Sequence, residues 1–283
     1  MGLVPKVISI TSGKGGVGKT NISVNLALKL SQRNKKVLII DADLGLANVN
    51  VLFNLKANKT INDLMNGDSE ITDILIDGPG GIKILPASSG IFSMSQIEDS
   101  GEHVLLSHLN RLNNLFDYII IDTGAGIGKN VLFFNSISHH VTIIVTPEPT
   151  SITDAYALIK VLNKNAKIKR FKIIVNQVSS SGEGKKIYGA LYGVVSRFLT
   201  VSLDYLGYVA SDKALRKSVL TQKPVVLYAP DSPSSICFDT IASRIEDKLQ
   251  KVTQTGSIQL FWEEMVKNAD FWKRISWKVY TFG

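Results

Sequence analysis

Ser12-Gly-Lys-Gly-Gly-Val-Gly-Lys-Thr-Asn21 is the stretch on which the reading of this 283-residue chain turns. Gly13, Gly18, Lys19 and Thr20 meet the pattern Gly-x4-Gly-Lys-Ser/Thr. The apolar run Val7 to Ile10 precedes it as a buried strand does, and Ile22, Asn25, Leu26 and Leu30 follow at helical spacing. Glycines 13, 15, 16 and 18 let the backbone curl so that successive N–H groups face phosphate oxygens, with the positive end of a helix behind them. The expected nucleotide contacts are therefore Gly13, Lys14, Gly15, Gly16, Val17, Gly18, Lys19, Thr20 and Asn21. Lys19 is expected to bridge the β- and γ-phosphates and Thr20 to ligate Mg²⁺. Lys14 is an extra cation at a position where the general pattern requires no particular residue.

Two further runs end in carboxylates. Lys36 to Ile40 leads into Asp41-Ala-Asp43, and Asp117 to Ile121 leads into Asp122-Thr-Gly-Ala-Gly126. In an open parallel sheet the C-terminal strand ends converge on the ligand crevice, so these groups are placed to reach a metal and an attacking water. Asp122 is expected to hold Mg²⁺ through its water shell, Asp43 to polarise the hydrolytic water, and Asp41 to support the metal side. The competing reading for one of the pair Asp41 and Asp43 is a capped loop residue. Glycines 124, 126 and 128 give the segment after Asp122 the freedom that a γ-phosphate sensor needs.

Strand-like runs at 7–10, 37–40, 82–86, 118–121, 141–145, 171–175 and 203–209 alternate with helical stretches, including one at Ser232 to Leu249. The pattern predicts an α/β fold, a doubly wound and mostly parallel sheet with helices on both faces. Residues 1–250 form the expected nucleotide-binding domain, 251–257 a polar linker and 258–283 an amphipathic tail. Ile61 to Ile76 reads as short helices, and Gly78-Pro-Gly-Gly81 as a turn.

Hydrophobic residues make up 45% of the chain, ample for a sheet covered on both faces. The single cysteine, Cys237, fits a reducing compartment, and the N-terminus shows no apolar signal stretch, so the cytoplasm is expected. The four histidines form no metal pattern. The net charge of +8 and the basic stretch Lys160 to Lys172 raise nucleic acid as a partner, but aromatic interleaving stops at Phe171. DNA is the less favoured partner, since such charge serves an anionic membrane equally well.

The tail supports the membrane. All three tryptophans lie in Ile258 to Gly283. Phe261, Met265, Trp272, Ile275 and Val279 share one side of a helical projection, while Lys267, Lys273, Arg274 and Lys278 can face headgroups. Phe261, Met265, Phe271, Trp272, Lys273, Arg274 and Ile275 are the expected membrane contacts. A helix docked on the core or on a partner is the alternative.

Together these motifs resemble the deviant Walker A ATPases of the MinD/ParA group, over essentially the first 250 residues. Gly18-Lys-Thr-Asn21, Asp41-Ala-Asp-Leu-Gly-Leu-Ala-Asn48 and Asp122-Thr-Gly-Ala-Gly-Ile127 are most similar to its FlhG branch, also called FleN or YlxH, which regulates flagellar number and placement. The resemblance implies an Mg²⁺-dependent ATPase, slow without a partner, that forms a homodimer around ATP. In it Lys14 reaches the other subunit's phosphates, Lys19 and Thr20 act within their own subunit, and Asp43 positions water. It also implies adenine recognition by Asn176 and by the loop Gly207 to Asp212, although Ala210 stands where the group usually has Pro. Phe271-Trp-Lys-Arg274 resembles the group's membrane-targeting sequence, which implies peripheral attachment to the cytoplasmic face of the inner membrane. Flagellar switch-ring proteins and the FlhF GTPase are the protein partners it brings with it. With only about five residues ahead of the first strand, the segment by which many FlhG proteins stimulate FlhF is not expected. A MinD-like division-site or ParA-like DNA-partitioning ATPase, and a nucleotide-binding scaffold with little hydrolysis, are the competing readings.

Overall fold

β-branched runs separated by helices with one apolar stripe give strand and helix in strict alternation along most of the chain. A computed structural model describes residues 5–43, 49–53, 55, 59, 63–64, 69–86, 108, 111–112 and 114–250. Its strands are β1 (Lys6–Ser12), β2 (Val37–Ala42), β3 (Ile76–Asp77), β4 (Lys83–Leu85), β5 (Tyr118–Ala125), β6 (His140–Val145), β7 (Arg170–Val178) and β8 (Ser202–Ala210). Its helices are α1 (Lys19–Ser31), α2 (Val49–Phe53), α3 (Lys129–Ser136), α4 (Pro149–Ala166), α5 (Ser181–Phe198), α6 (Lys213–Leu220), α7 (Val225–Tyr228) and α8 (Pro233–Gln250).

The eight strands run in the order β3-β4-β2-β5-β1-β6-β7-β8. Among the described residues only β3 pairs antiparallel, with β4; the other pairs are parallel. Parallel strands need cover on both faces, and two apolar clusters supply it. On one face Leu26, Leu30, Val225, Phe238 and Ile241 from α1, α7 and α8 pack on Ile8, Ile10 and Ile120. On the other, Leu132, Leu158, Ile159, Leu191 and Val195 from α3, α4 and α5 pack on Val141, Ile143, Ile173 and Val175. These observations establish the doubly wound arrangement expected from the sequence.

The second face also contains a buried polar seam. Ser9 Oγ donates to Asn135 Oδ1 at 2.7 Å, and Asn135 Nδ2 donates to Thr11 Oγ1 at 3.2 Å and to the Val131 carbonyl at 2.7 Å. All three side chains are fully buried, so each bond avoids the penalty of an unpaired buried group and fixes α3 at one height on β1. His139 is structural too, its Nδ1 accepting the Val7 N–H at 3.0 Å.

Helix α8 runs the length of the sheet. At its start, Ser234 donates from its N–H and its hydroxyl to Asp212, beside the end of β8. Near its end, Glu246 pairs with Arg33 and Lys35, which lie just before β2. It therefore descends from the C-terminal to the N-terminal end of the strands. The expected Gly78–Gly81 turn is a 3-10 turn at Pro79–Gly81, and within Ile61 to Ile76 the described residues include a 3-10 turn at Ile71–Ile74 leading into β3. The linker 251–257 and the tail 258–283 lie outside the described residues.

Candidate nucleotide site

The loop between β1 and α1 is held by contacts that leave no room for side chains at two of its glycines. A Cβ on Gly13 would lie 2.2 Å from the Asp154 carbonyl oxygen, in the first turns of α4. Gly18, at φ +93°, is in the left-handed region, and a Cβ there would lie 2.5 Å from Asn176 Nδ2. That amide donates to the Val17 carbonyl at 2.7 Å, while Asn176 Oδ1 accepts the Gln177 N–H at 2.9 Å. Asn176, expected at the adenine, is thus also a strut that sets the loop from the end of β7.

Lys19 opens α1 and is buried; burial lowers its pKa, while the Asp122 and Asp43 carboxylates oppose that shift. Asp122 lies on β5 next to β1, in register with Ile10. Its Oδ1 accepts the Ser23 hydroxyl at 2.9 Å, one turn of α1 beyond Lys19, and its Oδ2 has no hydrogen-bond partner among the described residues. Burial is the main cause that pushes its pKa up to about 6, against the hydroxyls of Thr20 and Ser23 and the charge of Lys19. A fully buried carboxylate with one idle oxygen, beside a threonine hydroxyl and a buried lysine, suits a cation. Mg²⁺ in particular takes few protein oxygens and fills its octahedron from water and phosphate. Thr20 and Asp122 fit that ion.

Asp41 differs from its neighbour. It is also fully buried, but Oδ1 accepts the Asp43 N–H at 3.2 Å and Oδ2 the Val49 N–H at 3.1 Å. These two bonds fasten the chain on either side of 44–48, which makes it a positioning residue for Asp43. Asp43 is only part-buried, and its Oδ1 would lie 3.6 Å from a Cβ on Gly124. It therefore faces the C-terminal end of β5.

The end of β5 is tied to the end of β1, just before the phosphate loop, by bonds that motif spacing does not disclose. Gly126, at φ +90°, donates its N–H to the Ser12 carbonyl at 2.9 Å, and Thr123 Oγ1 donates to the Ile10 carbonyl at 3.1 Å. Lys14 projects sideways instead of over the loop. Its Nζ pairs with Glu148 and donates to Thr150 Oγ1 at 3.0 Å, at the start of α4. Asp212, a suggested neighbour of the nucleotide, accepts Ala214 N–H at 2.8 Å as the cap of α6, and its other oxygen takes Ser234. Its hydrogen bonds fasten the chain just after β8 to the starts of α6 and α8.

Ser23 and Glu148 are the neighbours of the site that the sequence does not announce. Ser23 alone had a signal, its position one helical turn after Lys19 on the face that meets β5.

A nucleotide loop at the end of a central parallel strand, with an acidic residue on the adjoining strand, defines a P-loop nucleotide-binding protein. Comparison with known proteins narrows this. Residues 5–175 match a family model described as an AAA domain. The chain is 40% identical to the antiactivator FleN of Pseudomonas aeruginosa, over 93% of this chain and 94% of that one. It is 38% identical to the flagellum site-determining protein YlxH of Helicobacter pylori, over 90% and 85%. Among solved structures, the septum site-determining protein MinD of Pyrococcus horikoshii, complexed with Mg-ADP, superposes with a TM-score of 0.71 at 26% identity, covering 89% of this chain and all of that one. The chain belongs to the MinD/ParA family of P-loop ATPases, in the FlhG branch that contains FleN and YlxH.

Proposed function

We propose that the protein is an ATP-driven switch that controls flagellar number or placement, dimerising around ATP and attaching peripherally to the cytoplasmic face of the inner membrane. The observation that carries the ATPase part is the idle Asp122 oxygen beside Lys19 and Thr20. Thr20 and Asp122 would hold Mg²⁺, which neutralises charge on the β- and γ-phosphate oxygens. Lys19 and the N–H groups of residues 13–20 bind the phosphates of ATP or ADP, and Asn176 lies at the adenine side. Asp43 orients the hydrolytic water. Lys14 leaves Glu148 to reach the partner subunit's phosphates, acting as an arginine finger does by meeting charge as it develops. The flagellar role rests on the likeness to FleN and YlxH, and it makes switch-ring components or the FlhF GTPase the protein partners to test.

Membrane attachment rests on the sequence 258–283, with residues 251–257 as a linker. No helix among the described residues is long and apolar enough to cross a membrane. One weak interfacial helix binds marginally, so two tails brought together by dimerisation raise avidity. The test is size-exclusion chromatography and phosphate release with ATP, followed by co-sedimentation of the full chain and of residues 1–257 with anionic vesicles. An ATP-dependent dimer, slow turnover and tail-dependent sedimentation are expected. Nucleotide binding without turnover would leave the scaffold reading in its place.

A further inference from the structure

We infer that the end of the sheet opposite the phosphate loop is a lipid-facing surface, on which the exposed bases Lys164, Lys167, Lys169 and Arg170 meet the anionic headgroups of a bilayer. The inference rests on the membrane reading above and adds the core's own contact to that of the tail.

Residues 160–172 contain six bases and no acid. Lys164, Lys167, Lys169 and Arg170 are exposed, and none has an ion-pair partner among the described residues. Lys172 is the exception, lying 3.7 Å from Asp204. The cluster sits where the chain leaves α4 through Lys167, at φ +57°, and enters β7 at Arg170. Further bases occupy the same end of the sheet: Lys6 opens β1, and Lys35 and Lys36 precede β2. Of the acids at this end, Asp117 accepts the Lys36 N–H at 2.7 Å and Glu246 pairs with Arg33 and Lys35, while Asp247 in the last turn of α8 is exposed. His140, at the start of β6, registers the crowding: burial, then Lys172, His139 and Lys6, push its pKa to about 3.

The dipole of α4 accounts for a cation at Lys164, in its last turn. It does not account for Lys169 and Arg170, which lie beyond the helix. Two observations select a bilayer as the occupant. Helix α8 delivers Gln250 to this same end, and the sequence that follows it holds all three tryptophans and ends, from Phe271 onward, with three bases and no acid. The only aromatic residue among the bases, Phe171, is fully buried and cannot stack on a nucleobase.

Each base near an anionic surface strengthens binding about fivefold at physiological ionic strength. In the full chain, Lys167→Gln, Lys169→Gln and Arg170→Gln together should weaken ATP-dependent binding to mixed phosphatidylcholine–phosphatidylglycerol vesicles by about 100-fold. The ATP-dependent dimer and turnover should be unchanged, and Lys167→Arg, Lys169→Arg and Arg170→Lys together should bind as the parent does. Equal vesicle binding by the glutamine variant would overturn this surface while leaving the tail reading intact. Failure of the parent to sediment with any of these vesicles would overturn both. Loss of duplex-DNA binding with vesicle binding preserved would also overturn it, in favour of a nucleic-acid surface. So would failure of the charge-conserving variant, because shape and not charge would then be at stake.

Discussion

Asp41 and Asp122 stand in register on the adjacent parallel strands β2 and β5, both fully buried, yet only one of them keeps an oxygen idle. Asp41 accepts two backbone N–H bonds from the chain that follows it. Asp122 accepts the Ser23 hydroxyl, has the Thr20 hydroxyl beside it, and carries the penalty of full burial. Neighbouring carboxylates with nearly the same burial therefore differ in their bonding, one holding backbone and the other keeping an oxygen without a hydrogen bond among the described residues.

The apo protein should be less stable at neutral pH because of Asp122. Its folded pKa of about 6 lies above the ordinary 3.8, so its stabilising contribution is complete below about pH 4 and is lost as pH rises through about 6. The difference corresponds to about 3 kcal/mol at pH 7.5. Asp122→Asn should therefore raise the melting temperature of the apo protein at that pH while abolishing the further rise given by Mg-ADP. In the parent, Mg²⁺ affinity should fall as pH drops through about 6. A lower-melting apo variant, or one that responds fully to Mg-ADP, would sink the assignment.

Lys14 and Lys19 should fail differently. Lys14→Ala loses an exposed pair with Glu148, worth at most about 1 kcal/mol of stability, and an exposed hydrogen bond to Thr150. It should leave ADP affinity nearly unchanged and abolish ATP-dependent dimerisation and turnover. Lys19→Ala should weaken ATP and ADP alike. Calorimetry that found equal losses of ADP binding in the two variants would show that Lys14 works within its own subunit.

Asp43→Ala should trap the ATP-bound dimer, since the residue is assigned to water and not to nucleotide affinity. Size-exclusion chromatography with ATP reads the outcome. A variant that stays monomeric, or that hydrolyses ATP as fast as the parent, removes Asp43 from that role.

Asn176→Ala should cost about 1–2 kcal/mol in denaturant unfolding, because the Val17 carbonyl loses its buried donor. It should also weaken ADP and ATP together, the loop having lost its strut. Undiminished nucleotide affinity would confine Asn176 to a fold role.

The phosphate loop, its flanking strand and helix, and seven of the strands could be read from spacing because they depend on local periodicity and on residues of special backbone freedom. β3, with two residues, is too short to show a period. The division of labour between Asp41 and Asp122 was hidden for another reason. Sequence gives the residue type, whereas the use of each oxygen depends on where the chain goes next, here to Val49. The Ser9–Asn135–Thr11 seam and the Lys14–Glu148 pair join residues more than a hundred positions apart, and no short pattern records them. Asn176 was visible as a strand-end residue, but its grip on Val17 was not.

The descent of α8 has a mechanical corollary. Its 18 residues form a rod about 27 Å long, anchored at one end by Ser234 on Asp212 and at the other by Glu246 on Arg33 and Lys35. Between these pins Phe238, Ile241 and Ile245 are buried in the core, so α8 fastens the end of β8 to the segment before β2 across the whole height of the sheet.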